Sequence, residues 1–239
     1  MALKYSRILL KFSGEVLMGK ADFGWDMAVL QQVAQQVKVI RDMGVEVAIV
    51  VGGGNVFRGA QVQSDQVQRS TADQMGMMAT VMNGLALRDV FESNGLKTSL
   101  MSAMDIHGVA EGFSANEAQK RLSAGDIVVF AGGTGNPFFT TDTAAALRGI
   151  EVSADVVLKA TKVDGIYDSD PKKNPQALRF SQLTYDEVIQ QNLQVMDLAA
   201  FALCRDHRMP IRVFDMLKDG ALNRILQGED EGTLVTTGE

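Results

Sequence analysis

Apolar and polar positions alternate in blocks along this chain, and two periods recur. Arg7-Ile-Leu-Leu-Lys11 is a short apolar run without helical spacing, which predicts a buried strand. From 27 to 43 the apolar residues Val29, Leu30, Val33, Val37 and Ile40 fall three to four apart, predicting a helix closed by Gly44. Residues 45–51 form another strand and run straight into Gly52-Gly53-Gly54. A helix over 72–93, a strand over 96–101, a helix opening on the capping box Ser114-Ala-Asn-Glu117 and a strand over 126–131 follow. The second half predicts a helix after Thr143, a strand over 155–160, a polar loop with Pro171 and Pro175, and helices near 184–192 and 196–207. A strand over 211–214, a short helix at 221–227 and a strand near Thr233 complete it.

Strand-helix-strand units of this kind predict an α/β fold with a mostly parallel sheet covered on both faces. Ligands of such sheets bind beyond the carboxyl ends of the strands, where Gly14, Gly52 to Gly54, Gly132 to Gly135 and the turn 161–165 all fall. The 239 residues suit one domain of this class.

Composition narrows the functions. With 46% hydrophobic but only 6% aromatic residues, the core must be aliphatic, with 13 Met as gap fillers or as lining of a ligand or subunit surface. A net charge of −6 gives no broad basic face for nucleic acid or an anionic membrane. The single Cys204 rules out an internal disulfide, and its apolar helical setting predicts a buried, inert thiol. His107 and His207 show no ligand spacing, so no protein metal site is expected. With no targeting pattern and no 18-residue apolar run, the expected location is the cytoplasm.

Candidate chemistry gathers in the loops. Gly132-Gly133-Thr134-Gly135-Asn136-Pro137-Phe138-Phe139-Thr140-Thr141-Asp142 joins a buried strand to a helix start. Its glycines admit close approach, its threonines supply hydroxyls, and free N–H groups at the helix start favour an anion; the alternative is a connection whose threonines merely cap the helix. Gly14-Glu-Val-Leu-Met-Gly19-Lys20-Ala21 imitates a P-loop but has Ala21 where a hydroxyl should meet Mg²⁺, and reads as coincidence. The run Gly52 to Gly54 lacks the dinucleotide spacing, having Phe57 in place of the third glycine. Lys11 ends a buried strand, where it either meets an anion or snorkels to water. Arg58 follows the glycine run and either grips two phosphate oxygens or pairs with a carboxylate such as Asp65 or Asp73. Asp73 either caps a helix or accepts from ribose hydroxyls. Thr161-Lys-Val-Asp-Gly-Ile-Tyr167-Asp-Ser-Asp170-Pro171 is either a base-binding loop with a Mg²⁺-organising edge or a solvated turn.

Taken together, Lys11-Phe-Ser-Gly14, Gly52-Gly-Gly-Asn-Val-Phe-Arg58, Gly133 to Asp142, Lys159-Ala-Thr-Lys-Val-Asp-Gly-Ile-Tyr167 and Val195-Met-Asp-Leu-Ala-Ala-Phe201 closely resemble the bacterial UMP kinases, a branch of the amino-acid kinase superfamily. The resemblance spans essentially the whole chain. It implies a three-layer α/β/α sandwich, a UMP-binding lobe over about 1–150 and an ATP-binding lobe over 151–239, transfer of the γ-phosphate of ATP to UMP with Mg²⁺ held mainly by the ATP phosphates, and a homohexamer. By the same resemblance Lys11, Phe12, Ser13, Gly14, Gly54, Arg58, Thr161, Lys162, Tyr167 and Asp170 hold ATP. Gly53, Asp73, Thr134, Gly135, Asn136, Pro137, Phe138, Phe139, Thr140 and Thr141 hold UMP. Lys11 and Arg58 stabilise the transferring group, Asp142 orients the lysines or the metal, and Asp197 is a weaker candidate.

Activation by GTP and inhibition by UTP are implied through Gly19, Lys20, Ala21, Asp22, Phe23 and Gly24. A neighbouring helix reading Arg88-Asp-Val-Phe-Glu92 adds acids where a triphosphate wants cations, which leaves GTP activation open. Three alternatives stay open beside this reading: a carboxylate or carbamate acceptor within the superfamily, a nucleotide-binding regulator without catalysis, and a dinucleotide-binding enzyme.

Overall fold

Nine strands form one sheet in the computed structural model, which describes residues 3–58, 67–171, 173–193 and 195–238. At its centre β1 (Arg7–Phe12) lies between β2 (Glu46–Val51) and β6 (Val156–Thr161), parallel to both. Beyond β2 come β5 (Ile127–Ala131), β3 (Thr98–Ser102) and β4 (Glu111–Gly112). Beyond β6 come β8 (Ile211–Asp215), β9 (Thr233–Thr236) and β7 (Gln182–Thr184). Among these nine strands only the β8–β9 pairing is antiparallel, and outside them Tyr167 and Arg179 form an isolated antiparallel bridge. The expected mostly parallel sheet is therefore present.

Because successive side chains leave a strand on opposite faces, each continuous apolar strand feeds two cores. Ile8, Leu10 and Phe12 pack on one side with α2 (Met27–Asp42), part of α3 (Arg69–Ser93) and α8 (Ala221–Leu226). Leu9, Ala48 and Val157 pack on the other with α4 (Ala115–Ser123), α5 (Thr141–Glu151), α6 (Tyr185–Gln190) and α7 (Leu198–Asp206). The three layers of the expected α/β/α sandwich follow from that alternation. Among the described residues no helix is long and apolar enough to cross a membrane.

Local differences have local causes. The turn α1 (Gly14–Leu17) and the edge strands β4 and β7 hold two to four residues each, too few for any period to register. The helix expected after Thr143 begins at Thr141, because the Thr140 hydroxyl accepts from the N–H groups of Asp142 and Thr143. Ser114 caps α4 as expected, but Glu117 turns to Arg121 at 3.0 Å rather than back to the cap. A reciprocal capping box forms instead at Thr184 and Glu187.

Two glycines weld the loops at the carboxyl edge of the sheet. A Cβ on Gly14 would lie 2.8 Å from the Gly54 nitrogen, and one on Gly53 would lie 2.8 Å from the Gly76 carbonyl oxygen. Those contacts hold the end of β1, the glycine run and α3 at backbone distance.

Candidate active site

The register of β1 against β6 sets Lys11 directly beside Lys159, so two ammonium groups leave one face of the sheet together. Like charges this close need a shared counterion, and the first turn of α5 supplies it. Lys11 Nζ stands 2.7 Å from Asp142 Oδ1, and Lys159 Nζ donates to Asp142 Oδ2 at 2.8 Å and to the Val195 carbonyl. Oδ1 receives no aligned hydrogen bond, so Lys11 is held by charge rather than by direction. Lys11 is only 7% exposed, which makes it a buried cation with a partner and not a snorkelling one.

The electrostatics follow from this arrangement. Burial raises the Asp142 pKa, but Lys11 and Lys159 more than reverse it and hold the carboxyl below its ordinary value. Burial, helped by the charge of Lys11, pushes Lys159 below the ordinary lysine value against the pull of Asp142. Asp197 braces the group from behind. Its carboxylate accepts from the hydroxyls of Thr140 and Thr143 and from the Ala200 N–H at 2.9 Å, tying the starts of α5 and α7 together.

One cleft, of about 360 Å³, ends at Thr140 and Thr141, immediately before Asp142. Gly53, Gly54, Asp73, Gly133 and Phe139 also line it. Asp73 does not cap α3, whose first turn follows Gln68; its carboxylate accepts from Arg69 at 2.9 and 3.0 Å and from the Phe138 N–H at 2.8 Å. Thr134, Gly135, Asn136, Pro137 and Phe138 form the adjoining loop outside the lining set, with the Thr134 hydroxyl accepting from the Asn136 N–H. Phe138 adopts φ +72° and is 69% exposed.

A second cleft, of about 540 Å³, reaches the cluster through Lys159. Lys159, Thr161, Tyr167 and Asp170 line it, and the Tyr167 hydroxyl donates to Asp164 at 2.6 Å. Phe12 is wholly buried, so it can offer a ligand only its backbone. Ser13 uses its hydroxyl to cap α1.

Other expected residues stand apart. Arg58 is exposed and pairs with Glu15 at 3.1 Å rather than with Asp73, while Asp65 lies outside the described residues. Arg58 also donates to the Gly54 carbonyl and lines a hollow with Asp22 and Phe23. Lys162 is exposed beside Gly19 and Lys20 in a separate hollow. Within the segment 19–24, Lys20, Ala21, Asp22 and Phe23 are exposed and Gly24 is buried. Arg88 and Glu92 line a hollow with Thr98 and Glu111. The P-loop look-alike is wound into α1 with Val16 and Leu17 buried, which leaves no open phosphate loop. Cys204 is buried, and burial pushes its thiol up to about 12, as an inert thiol requires.

Two site residues carried no role in the sequence. Lys159 interrupts a buried strand just as Lys11 does, and that parallel was legible. Arg69 pairs with Asp73 at i,i+4, a spacing equally legible once the helix is known to begin at Arg69.

Residues 6–215 match the Amino acid kinase family. A uridylate kinase from Hydrogenovibrio crunogenus is 64% identical over 98% of this chain and 100% of its own length. A solved UMP kinase from Bacillus anthracis superposes with a TM-score of 0.95 at 39% identity, covering 98% of this chain and 97% of that one. A second, from Ureaplasma parvum, gives 0.91 at 36% identity, covering 98% and 99%.

Proposed function

The chain belongs to the amino acid kinase family, and on that premise we infer that it transfers the γ-phosphate of ATP to UMP, giving UDP and ADP in pyrimidine nucleotide synthesis. The observation that carries this reading is the buried cluster of Lys11, Asp142 and Lys159, which touches two clefts: Thr141, next to Asp142 in the chain, lines the first, and Lys159 lines the second. UMP is assigned to the cleft of Gly53, Asp73 and Thr140, with the loop from Thr134 to Phe139 beside it. ATP is assigned to the cleft of Thr161, Tyr167 and Asp170, with Lys11 to Gly14 and Gly54 at its phosphate end. Residues 1–150 then supply the UMP lobe and 151–239 the ATP lobe, except that β1 serves both.

Bringing the UMP phosphate against the γ-phosphate opposes like charges, so the work is positioning and neutralisation without a covalent protein intermediate. Lys11 faces the transferring group, and Asp142 holds Lys11 and Lys159 in register. Arg58 would exchange Glu15 for phosphate oxygens, and Lys162, exposed on the turn after β6, would assist only by moving from its present hollow toward the phosphates. Among the described residues no group of three His, Cys, Asp or Glu could cage a metal, and Asp142 is committed to two lysines. That donor set fits a Mg²⁺ ion carried by the nucleotide, with Asp168 and Asp170 at the cleft edge to organise its water. When bound, such an ion neutralises phosphate charge.

The proposal extends to assembly, location and regulation. Met75, Met78 and Met82 are exposed at i, i+3 and i+7 of α3, an apolar stripe that supports burial against another copy in a homohexamer. The cytoplasm is the proposed location. GTP and UTP are the proposed effectors, acting through Gly19 to Gly24.

A coupled assay with ATP, Mg²⁺ and each of UMP, CMP, dUMP, AMP, acetylglutamate, aspartate and carbamate tests the reading. Turnover should concentrate on UMP, and preference for a carboxylate or carbamate would overturn it. With Asp73 facing the ribose, dUMP should lose about 1–3 kcal/mol of transition-state stabilisation, read as kcat/KM. Equal values for UMP and dUMP would remove that role from Asp73. Arg58→Lys should be damaging although charge is kept, because an ammonium cannot grip two oxygens in one plane. Turnover near wild type would make Arg58 peripheral.

A further inference from the structure

Between the glycine run and α3 lies a buried amide pair. Asn83 is 0% exposed and Asn55 is 2% exposed. Asn83 Nδ2 donates to the Gly52 carbonyl at 2.6 Å and to Asn55 Oδ1 at 2.7 Å. Asn55 Nδ2 donates back to Asn83 Oδ1 at 3.0 Å and on to the Gly24 carbonyl at 2.9 Å. The Trp25 indole donates to Asn83 Oδ1 at 2.7 Å, and the Gly24 N–H donates to the Asn55 carbonyl at 2.9 Å.

The two carbonyls require donors and the indole requires an acceptor, so the partners dictate how both amides face. Flipping either would set donor against donor. A buried network with every polar atom matched is stiff, since loosening one member strands the others.

What the pair grips is the glycine run. Gly53 and Gly54 line the first cleft, and Gly52 sits so close to Gly14 that a Cβ there would lie 3.1 Å from the Gly14 nitrogen. A shift of the run therefore moves the cleft wall and the end of β1 together. At its other end the network reaches the surface, where Trp25 is 38% exposed between the exposed Phe23 and Met27.

We propose that Asn83, acting with Asn55, is a positioning residue that sets the glycine run for UMP and couples occupancy of the cleft to Trp25. The inference rests on the assignment of UMP to the first cleft. Trp25 is the only tryptophan of the chain, so its emission reads the coupling directly.

The experiment uses the full chain, with UMP binding followed by calorimetry, Trp25 emission titrated with UMP, and steady-state kinetics per folded enzyme. Wild-type emission should change along the calorimetric binding curve. Asn83→Ala should raise KM for UMP about tenfold, with a much smaller change in kcat, and should abolish the emission response at saturating UMP. Trp25→Phe keeps an apolar ring, loses one peripheral donor and remains folded; it should raise KM for UMP about threefold at unchanged kcat. A merely structural Asn83 would lower thermal stability and leave KM and the emission response of the folded fraction unchanged, which would overturn the proposal. Should Asn83→Ala fail to fold, an unchanged KM in Trp25→Phe together with wild-type emission indifferent to bound UMP overturns it equally. Wild-type protein that binds no UMP by calorimetry overturns the UMP assignment and the coupling with it. Protein that binds and turns over UMP with no coupling overturns the coupling alone.

Discussion

Lys11→Ala lowers kcat by about 10²-fold or more and leaves the protein folded, whereas Lys20→Ala leaves turnover without effectors near wild type. The contrast follows from where the two lysines stand. Lys11 is buried beside Lys159 with one carboxylate between them, so the cluster carries an excess positive charge aimed at the carboxyl edge of the sheet. Its removal deletes charge stabilisation made in the transition state, yet leaves Asp142 still paired with Lys159, so no buried ion is stranded. Lys20 is exposed past the turn α1, and its loss costs at most a response to GTP. Steady-state kinetics and circular dichroism on both variants decide the matter. If Lys20→Ala abolishes basal activity while Lys11→Ala is mild, the phosphate site belongs to the P-loop look-alike and the reading of the two clefts fails.

Asp142→Asn destabilises the fold by about 3–5 kcal/mol and also depresses turnover, because it leaves two buried ammonium groups facing each other without a counterion. The double variant Asp142→Asn with Lys159→Met recovers only part of the stability, because Lys11 still lacks its counterion, and none of the activity. Denaturant unfolding of the two single variants and the double variant measures that coupling, and additive losses would show that Asp142 and Lys159 act independently. The carboxyl pKa is held below its ordinary 3.8, so the stabilisation is complete above that value and is lost as pH falls through the folded-state pKa. Asp142→Asn should accordingly flatten the acid limb of stability.

Much of the architecture was legible in the chain. The apolar runs at 7–11, 45–51, 126–131 and 155–160 read as buried strands, and the spacing of 27–43 read as a helix; the structure has both. A lysine closing such a strand had either to meet an anion or to snorkel, and the structure gives it the Asp142 carboxylate. The dismissal of the P-loop look-alike stood on residue chemistry, since Ala21 offers no hydroxyl for Mg²⁺.

What the chain could not reveal was every relation that depends on two segments meeting. That Lys159 lies beside Lys11 is a matter of strand register, and that Asp142 serves both is a matter of the angle at which α5 starts. Neither leaves a trace in local spacing. Arg58 turning to Glu15, and Asn83 meeting Asn55 and Trp25 across 28 and 58 positions, are likewise decided by packing. Hydrophobic periodicity determines which residues go inside and in what element, because burial depends on local pattern. Which buried polar groups find each other depends on the sheet order and on backbone-to-backbone contacts at Gly14 and Gly53, and those exist only once the chain has folded.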